Sequence, residues 1–319
     1  MNGDIVGLQV IVTGGCGFIG SHLVDELVKR GFFVTVIDDL SAGTDTRFLQ
    51  QHIDAGDAEF IKYDIRNFNN LMELDNNYEA IFHLAAQPDV KVSVNNPRID
   101  FEVNVHGTFN ILELMRIKDI KKLIFAGSGG TVYGEAEIHP TPETYALSPI
   151  SNYGAAKAAS EMYCSSYSSL YGLQITTLRL GNIFGPRSNH GVMFDFFKKL
   201  KSNPKKLQIL GDGSQTKTYL YIEDTIRAIM LLYEKLSPKY EAYNVSSAET
   251  ISVNEIAKTI VEAMELQDVR FEYTGGKRGW KGDVPFTSMD ISKIQKLGWK
   301  PLISIRDGIK RYVQWLQNN

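Results

Sequence analysis

Cysteine is nearly absent: Cys16 and Cys164 are the only two in 319 residues. Two thiols so far apart give neither a disulfide framework nor a zinc spacing, so a reducing, cytoplasmic setting is expected and no metal is. Long apolar runs are missing too. The apolar opening over residues 6–12 follows Asp4 rather than a basic cluster, and Thr13-Gly14-Gly15 cuts it short. It reads as a buried strand, not as a signal peptide or a membrane span. There is no excess of basic residues either. A net charge of −3 gives no electrostatic reason to expect nucleic acid or an anionic membrane as partner. Internal repeats, low-complexity tracts and heptads are also lacking. What remains, 43% hydrophobic and 22% charged, fits a soluble globular chain. Its length suffices for one large core or two ordinary domains.

The short β-branched run Leu8-Gln9-Val10-Ile11-Val12 suits a strand buried on both faces. A helical pattern follows as far as Arg30, and between the two lie Gly14, Gly17 and Gly20 in a G-x-x-G-x-x-G spacing. Glycines there permit a tight turn and let backbone amides approach a pyrophosphate at the helix N-terminus. The next strand, residues 32–37, runs into Asp38-Asp39. A carboxylate at Asp38 accepts hydrogen bonds from an adenosine ribose and repels a 2′-phosphate, which favours NAD over NADP. Strands at 58–61, 80–83, 122–126 and 175–180, with a long helix over 97–117, imply a doubly wound parallel sheet of Rossmann type. His83, with no second ligand beside it, reads as a core histidine.

In Ser151-Asn152-Tyr153-Gly154-Ala155-Ala156-Lys157 a phenol and an ammonium stand at i and i+4 near the head of a helix. Such residues share a face, with Cβ atoms roughly 5–6 Å apart. A lysine and a helix N-terminus beside Tyr153 are expected to lower its pKa and make it a base for an alcohol proton.

With these motifs, the chain resembles the extended short-chain dehydrogenases/reductases, close to the NAD-dependent nucleotide-sugar epimerases of UDP-glucose 4-epimerase type. The likeness is carried by Thr13-Gly14-Gly15-Cys16-Gly17-Phe18-Ile19-Gly20, Asp38-Asp39-Leu40-Ser41, Asp64-Ile65-Arg66, His83-Leu84-Ala85-Ala86-Gln87 and Asn104-Val105-His106-Gly107-Thr108. It continues through Thr131-Val132-Tyr133-Gly134, Tyr153 with Lys157, Gly185-Pro186-Arg187, Gly211-Asp212-Gly213-Ser214-Gln215-Thr216, Tyr243-Asn244-Val245-Ser246 and Arg278-Gly279-Trp280-Lys281-Gly282-Asp283. The resemblance implies a Rossmann domain over residues 1–180 and a smaller α/β lobe for the nucleotide sugar over 181–319, with residues around 242–247 packing back on the first domain. It implies NAD held by Gly14, Gly17, Phe18, Ile19, Gly20, Asp38, Asp39, Leu40, Ser41, Gly43, Asp64, Ile65, Leu84, Ala85, Ala86, Gln87, Asn104, Tyr153 and Lys157. It implies a UDP-sugar met by Ser128, Thr131, Asn182, Val192, Leu210, Lys217, Arg278 and Asp283. A symmetric homodimer through helices over 97–117 and 153–171 is implied as well.

The sequence also departs from that family. The hydroxyl residue that meets the sugar 4-hydroxyl is replaced by Gly129, so its role passes to Ser128, to Thr131 or to water, with Ser128 favoured. The 4,6-dehydratases carry an Asp-Glu pair where Gly130-Thr131 stand, and the decarboxylases a glutamate at Thr131. Glycine and threonine provide no comparable acid and base, which disfavours both reactions. Lys217 and Trp280 stand where relatives often use arginine, and Thr287 where some carry a tyrosine that narrows the pocket. The expected reaction is 4-epimerisation of UDP-glucose and UDP-galactose, or of the N-acetylhexosamine or uronate analogues. The rivals are a net NAD(P)-dependent nucleotide-sugar reductase or dehydratase, and a non-catalytic dinucleotide sensor.

Overall fold

The computed structural model describes residues 7–279 and 284–319. Strands β1 (Gln9–Thr13), β2 (Phe33–Ile37), β3 (Ala58–Ile61), β4 (Tyr78–His83), β5 (Lys122–Ser128) and β6 (Gln174–Leu180) build one seven-stranded sheet with Glu241–Val245. The strand order is β3-β2-β1-β4-β5-β6 followed by Glu241–Val245. The pairs β1–β2, β1–β4, β2–β3 and β4–β5 are all parallel. This is the doubly wound order, which reverses direction between β1 and β4 and opens a crevice at their C-terminal ends. Val10, Ile11 and Val12 are fully buried because the sheet is covered on both faces, as their uninterrupted apolar run demands.

Helix α1 (Phe18–Lys29) follows β1, α2 (Gly107–Lys118) precedes β5, and α3 (Asn152–Tyr171) precedes β6. The helix expected over 97–117 is a composite. A turn at Pro97–Ile99 leads into a π-helical segment, Asp100–His106, and only then into α2. Helix α3 starts at a Ser151 cap whose hydroxyl accepts from Gly154 N at 3.1 Å, and it ends on Gly172 at φ 66°. On its buried face Glu161 forms an ion pair with Arg179 of β6, both side chains being almost fully enclosed. A paired buried charge of this kind fixes the helix against the strand and is costly to break.

The chain divides into two compact units that alternate along the sequence. The first comprises Met1–Ser128, Ser151–Arg179 and Ile229–Tyr243; the second comprises Gly129–Ile150, Leu180–Ala228 and Asn244–Asn319. In the second unit Thr216–Tyr221 is the centre of a three-stranded sheet, parallel to Asn182–Phe184 and antiparallel to Thr250–Ser252. Lys206–Ile209 pairs with Arg270–Tyr273. Helix Val253–Ala263 opens on a capping box of Ser252 and Glu255, and Ile305–Asn318 on a Ser304 cap. Among the described residues no helix is long and apolar enough to cross a membrane.

Candidate active site

The first unit gathers chemistry at the C-terminal ends of β1, β4 and β5. After β1, Gly14 takes φ 70° and packs so tightly against the chain after β4 that a Cβ would lie 2.7 Å from Ala85 N. At Gly20 a Cβ would meet Gly14 O at 2.1 Å, so this glycine closes the turn upon itself. Gly17 is less crowded, though a Cβ there would still press on Gly14 O at 3.2 Å. It is also the N-cap of α1, which has no side-chain cap and no acid in its first turn. The first amides of α1, those of Phe18, Ile19 and Gly20, are therefore not served by a cap, the condition that suits a pyrophosphate.

Asp38, at the end of β2, accepts from Cys16 N at 3.1 Å and from Leu40 N at 2.9 Å. Burial raises its pKa while these two backbone bonds lower it. A carboxylate oxygen with one backbone donor keeps capacity for a ribose hydroxyl, so turn and acid together fit an adenine dinucleotide. Asp39 turns its carboxylate onto Ser41, whose amide and hydroxyl it accepts at 2.9 and 2.6 Å. Gly43, at φ 70°, lies in open space. Asp64 is engaged by Arg66, and the Ile65 side chain lies in the core beneath Gly107. Any contact of Ile65 with a cofactor therefore belongs to its backbone. Residues 84–87 line the loop after β4, with Gln87 N donating to Asn104 Oδ1 at 2.8 Å. His83 is a core histidine, held by Thr13 at 2.6 Å and Thr108 at 3.0 Å. Burial pushes its pKa down to about 3.

Lys157 is 3% exposed and donates to Ala126 O at 2.9 Å, with its ammonium 5.1 Å from the Phe125 ring centre. Burial brings its pKa down to about 8. Tyr153 is half-buried, and its phenol lies near Ser128, the last residue of β5, whose hydroxyl acts on its pKa. The phenol itself overturns an expectation. Burial pushes it up to about 12; the Ser128 hydroxyl lowers it, and the charge of Asp100 raises it further. A lysine one turn away is expected to lower the phenol, but the burial of both groups is the larger effect.

Other candidates belong to the second unit. Thr131 lies in the short turn Gly129–Val132 and is half-buried. Asn182 donates to Thr218 O at 3.0 Å, and Lys217 is half-buried on the strand paired with that of Asn182. Val192 opens helix Val192–Ser202, and Leu210 follows strand Lys206–Ile209. Arg278 is exposed and meets Glu135 in an ion pair. Asp283, like Trp280, lies outside the described residues. Two residues that sequence reasoning missed bear on the candidate base: Ser93, which accepts from Tyr153 N at 3.1 Å, and Asp100, whose charge makes the phenol harder to ionise. Only the i,i+4 spacing of Asp100 and Asn104 in a helical stretch hinted at either.

Comparison with known proteins agrees with this architecture. A protein of Methanocaldococcus jannaschii provisionally named a UDP-glucose 4-epimerase is 38% identical over 98% of this chain and 99% of its own. The UDP-glucose 4-epimerase of Thermotoga maritima, solved with UDP-glucose, superposes with a TM-score of 0.89 at 34% identity, over 98% of this chain and 99% of that one. The Thermus thermophilus UDP-glucose 4-epimerase, solved with NAD, gives 0.87 at 33% identity, over 97% and 99%. Relatives of other reactions, a UDP-N-acetyl-glucosaminuronate decarboxylase from Bacillus cytotoxicus at 32% and a Streptomyces venezuelae dTDP-glucose 4,6-dehydratase at 26%, match over nearly the same length. The family model described as GDP-mannose 4,6 dehydratase matches residues 11–312, and the chain belongs to this family of NAD-dependent nucleotide-sugar epimerases and dehydratases.

Proposed function

We propose that this protein is a UDP-sugar 4-epimerase that interconverts UDP-glucose and UDP-galactose with NAD kept bound through the cycle. The observation that carries the reading is the placing of Tyr153 near Ser128, with Lys157 one helical turn on and no acid–base pair in Gly129–Val132. NAD supplies the hydride acceptor and donor at the sugar C4. Tyr153 takes the proton of the 4-hydroxyl, and Ser128, near the same phenol, orients that hydroxyl. Lys157 would hold the nicotinamide ribose and, while protonated, favours the phenolate. A phenol raised to about 12 by enclosure needs positive charge beside it to act near neutral pH. Lys157 and a cationic nicotinamide together provide that charge. The keto sugar then turns about its diphosphate linkage and presents its other face, and Tyr153 returns the proton.

Asn182, Val192, Leu210, Lys217, Arg278 and Asp283 grip the nucleotide diphosphate and leave the hexose free to turn. The dehydratase and decarboxylase relatives share the scaffold, yet glycine and threonine at 130 and 131 supply neither the acid nor the base for expelling water. The test is to incubate UDP-galactose with the purified protein and no added reductant. UDP-glucose is the expected product, and its absence, with conversion of neither UDP-N-acetylhexosamine nor UDP-glucuronate, overturns the reading. The N-acetylhexosamine pair is the second candidate, favoured by Thr287: it is small and buried, and its hydroxyl has no hydrogen-bond partner. Self-association is proposed through the face bearing Phe101, Met162, Tyr163, Leu170 and Tyr171, all large and exposed. Sedimentation of the free chain as a dimer is the corresponding check.

A further inference from the structure

Tyr153 is the second residue of α3, so its backbone amide has no partner within the helix. That donor is served from elsewhere in the first unit, by Ser93 Oγ at 3.1 Å. Ser93 is fully buried in the short helix Val90–Asn95, and its carbonyl also accepts from Asn152 Nδ2 at 3.0 Å. The Ser93 hydroxyl also stands near the Asp100 carboxylate and lowers its pKa, against the larger rise that burial causes. The Ser93 oxygen thus faces Tyr153 N, with the Asp100 carboxylate nearby.

Asp100 is 1% exposed at the head of the π-helical segment. Its Oδ1 accepts from Gln87 Nε2 at 3.1 Å and lies 3.4 Å from Asn104 Nδ2, while Oδ2 has no hydrogen-bond partner. Gln87 and Asn104 are themselves paired, and the Asn104 carbonyl receives Ser160 of α3 at 2.6 Å. One buried carboxylate therefore ties the loop after β4 to the π-helical segment, and stands near the serine that holds the head of α3. A buried carboxyl without a full set of donors is costly. It also makes the phenol harder to ionise. A site retaining such a group in spite of both effects is using its geometry.

We propose that Asp100 and Ser93 are positioning residues for the reaction: Asp100 orients the Ser93 hydroxyl, and Ser93 fixes the backbone of Tyr153 so that its phenol stays in register with Ser128. The catalytic half of this statement rests on the epimerase reading; the positional half does not. A misplacement of about 1 Å at a reacting group can cost roughly 10²-fold in rate.

Two readouts on the full chain separate the halves. The first is amide hydrogen exchange at Tyr153, read by NMR in the wild type, Ser93→Ala, Ser93→Thr and Asp100→Asn. Exchange at this amide is expected to speed up by about tenfold or more in Ser93→Ala and Asp100→Asn. Ser93→Thr, which keeps the oxygen, should restore it. Unchanged exchange in both variants overturns the proposal whether or not the protein epimerises anything. The second readout is turnover of UDP-galactose by the NAD-loaded chain. Each single variant should lose about 10- to 100-fold in kcat with KM within about twofold. The double variant should lose no more than the worse single, because the two act as one unit. Wild-type kcat in Ser93→Ala, or losses that multiply in the double variant, overturn the proposal. If the wild type itself converts no UDP-sugar while the exchange results hold, the epimerase reading fails and the positioning stands.

Discussion

In the first unit the candidate chemical groups are anchored close to the backbone: Lys157, buried, by Ala126 O, the Tyr153 amide by Ser93, and Asp38 by two backbone amides. In the second unit the candidate cations stand at the ends of long side chains and are less buried than Lys157. Lys217 is half-buried on a strand, and Arg278 is exposed in an ion pair with Glu135. The contrast follows from what each must do. Proton transfer tolerates little error in position, whereas a diphosphate can be gripped by charges at the ends of flexible side chains. A sugar that must turn over between two half-reactions is better served by such a grip than by a rigid cradle.

The largest effect should fall in the first unit. Tyr153→Phe is expected to lower kcat by about 10²–10⁴-fold with NAD retained, measured as UDP-galactose turnover and bound nucleotide per chain. Ser128→Ala comes next, with a loss of about 10²-fold in kcat. Turnover within a factor of about two would return the hydroxyl's role to Thr131 or to water. In the second unit Lys217→Ala should raise KM about tenfold with kcat little changed, and Lys217→Arg should lower KM through bidentate contact. A fall in kcat in Lys217→Ala would place that lysine among the rigid groups and erase the contrast.

The smallest effect is one of pH. Burial holds Lys157 down to about 8, so it is a cation below that pH and neutral above it. Rising through this range removes positive charge from beside the phenol, which disfavours the phenolate. Turnover is therefore expected to fall several-fold on the alkaline side of about pH 8. Lys157→Met, slower throughout, should lose that limb.

The doubly wound sheet was legible because its signals are local. A β-branched run before Gly14, an acid after the second strand and alternating helices each constrain the backbone directly. The same holds for Ser151, which caps α3 and sets Tyr153 and Lys157 one turn apart. What the sequence hid arises from enclosure and distance along the chain. The rise of the Tyr153 phenol depends on how deeply it is covered, which no spacing encodes. Ser93 lies 60 residues before the tyrosine it serves and Asp100 also lies far from it in the chain, and the π-helical turn that presents Asp100 is invisible to a 3.6-residue period. The Ile65 side chain is spent in the core beneath Gly107, which leaves its backbone for the expected cofactor contact.

The central claim is that the C4 hydrogen of the sugar is taken and given back within one enclosed site. The most direct measurement uses UDP-galactose carrying deuterium at C4, with the protein in ordinary water and no added reductant. The account requires UDP-glucose with the deuterium still at C4 and no net change in bound NAD. UDP-glucose whose C4 deuterium has been exchanged for solvent hydrogen would contradict it.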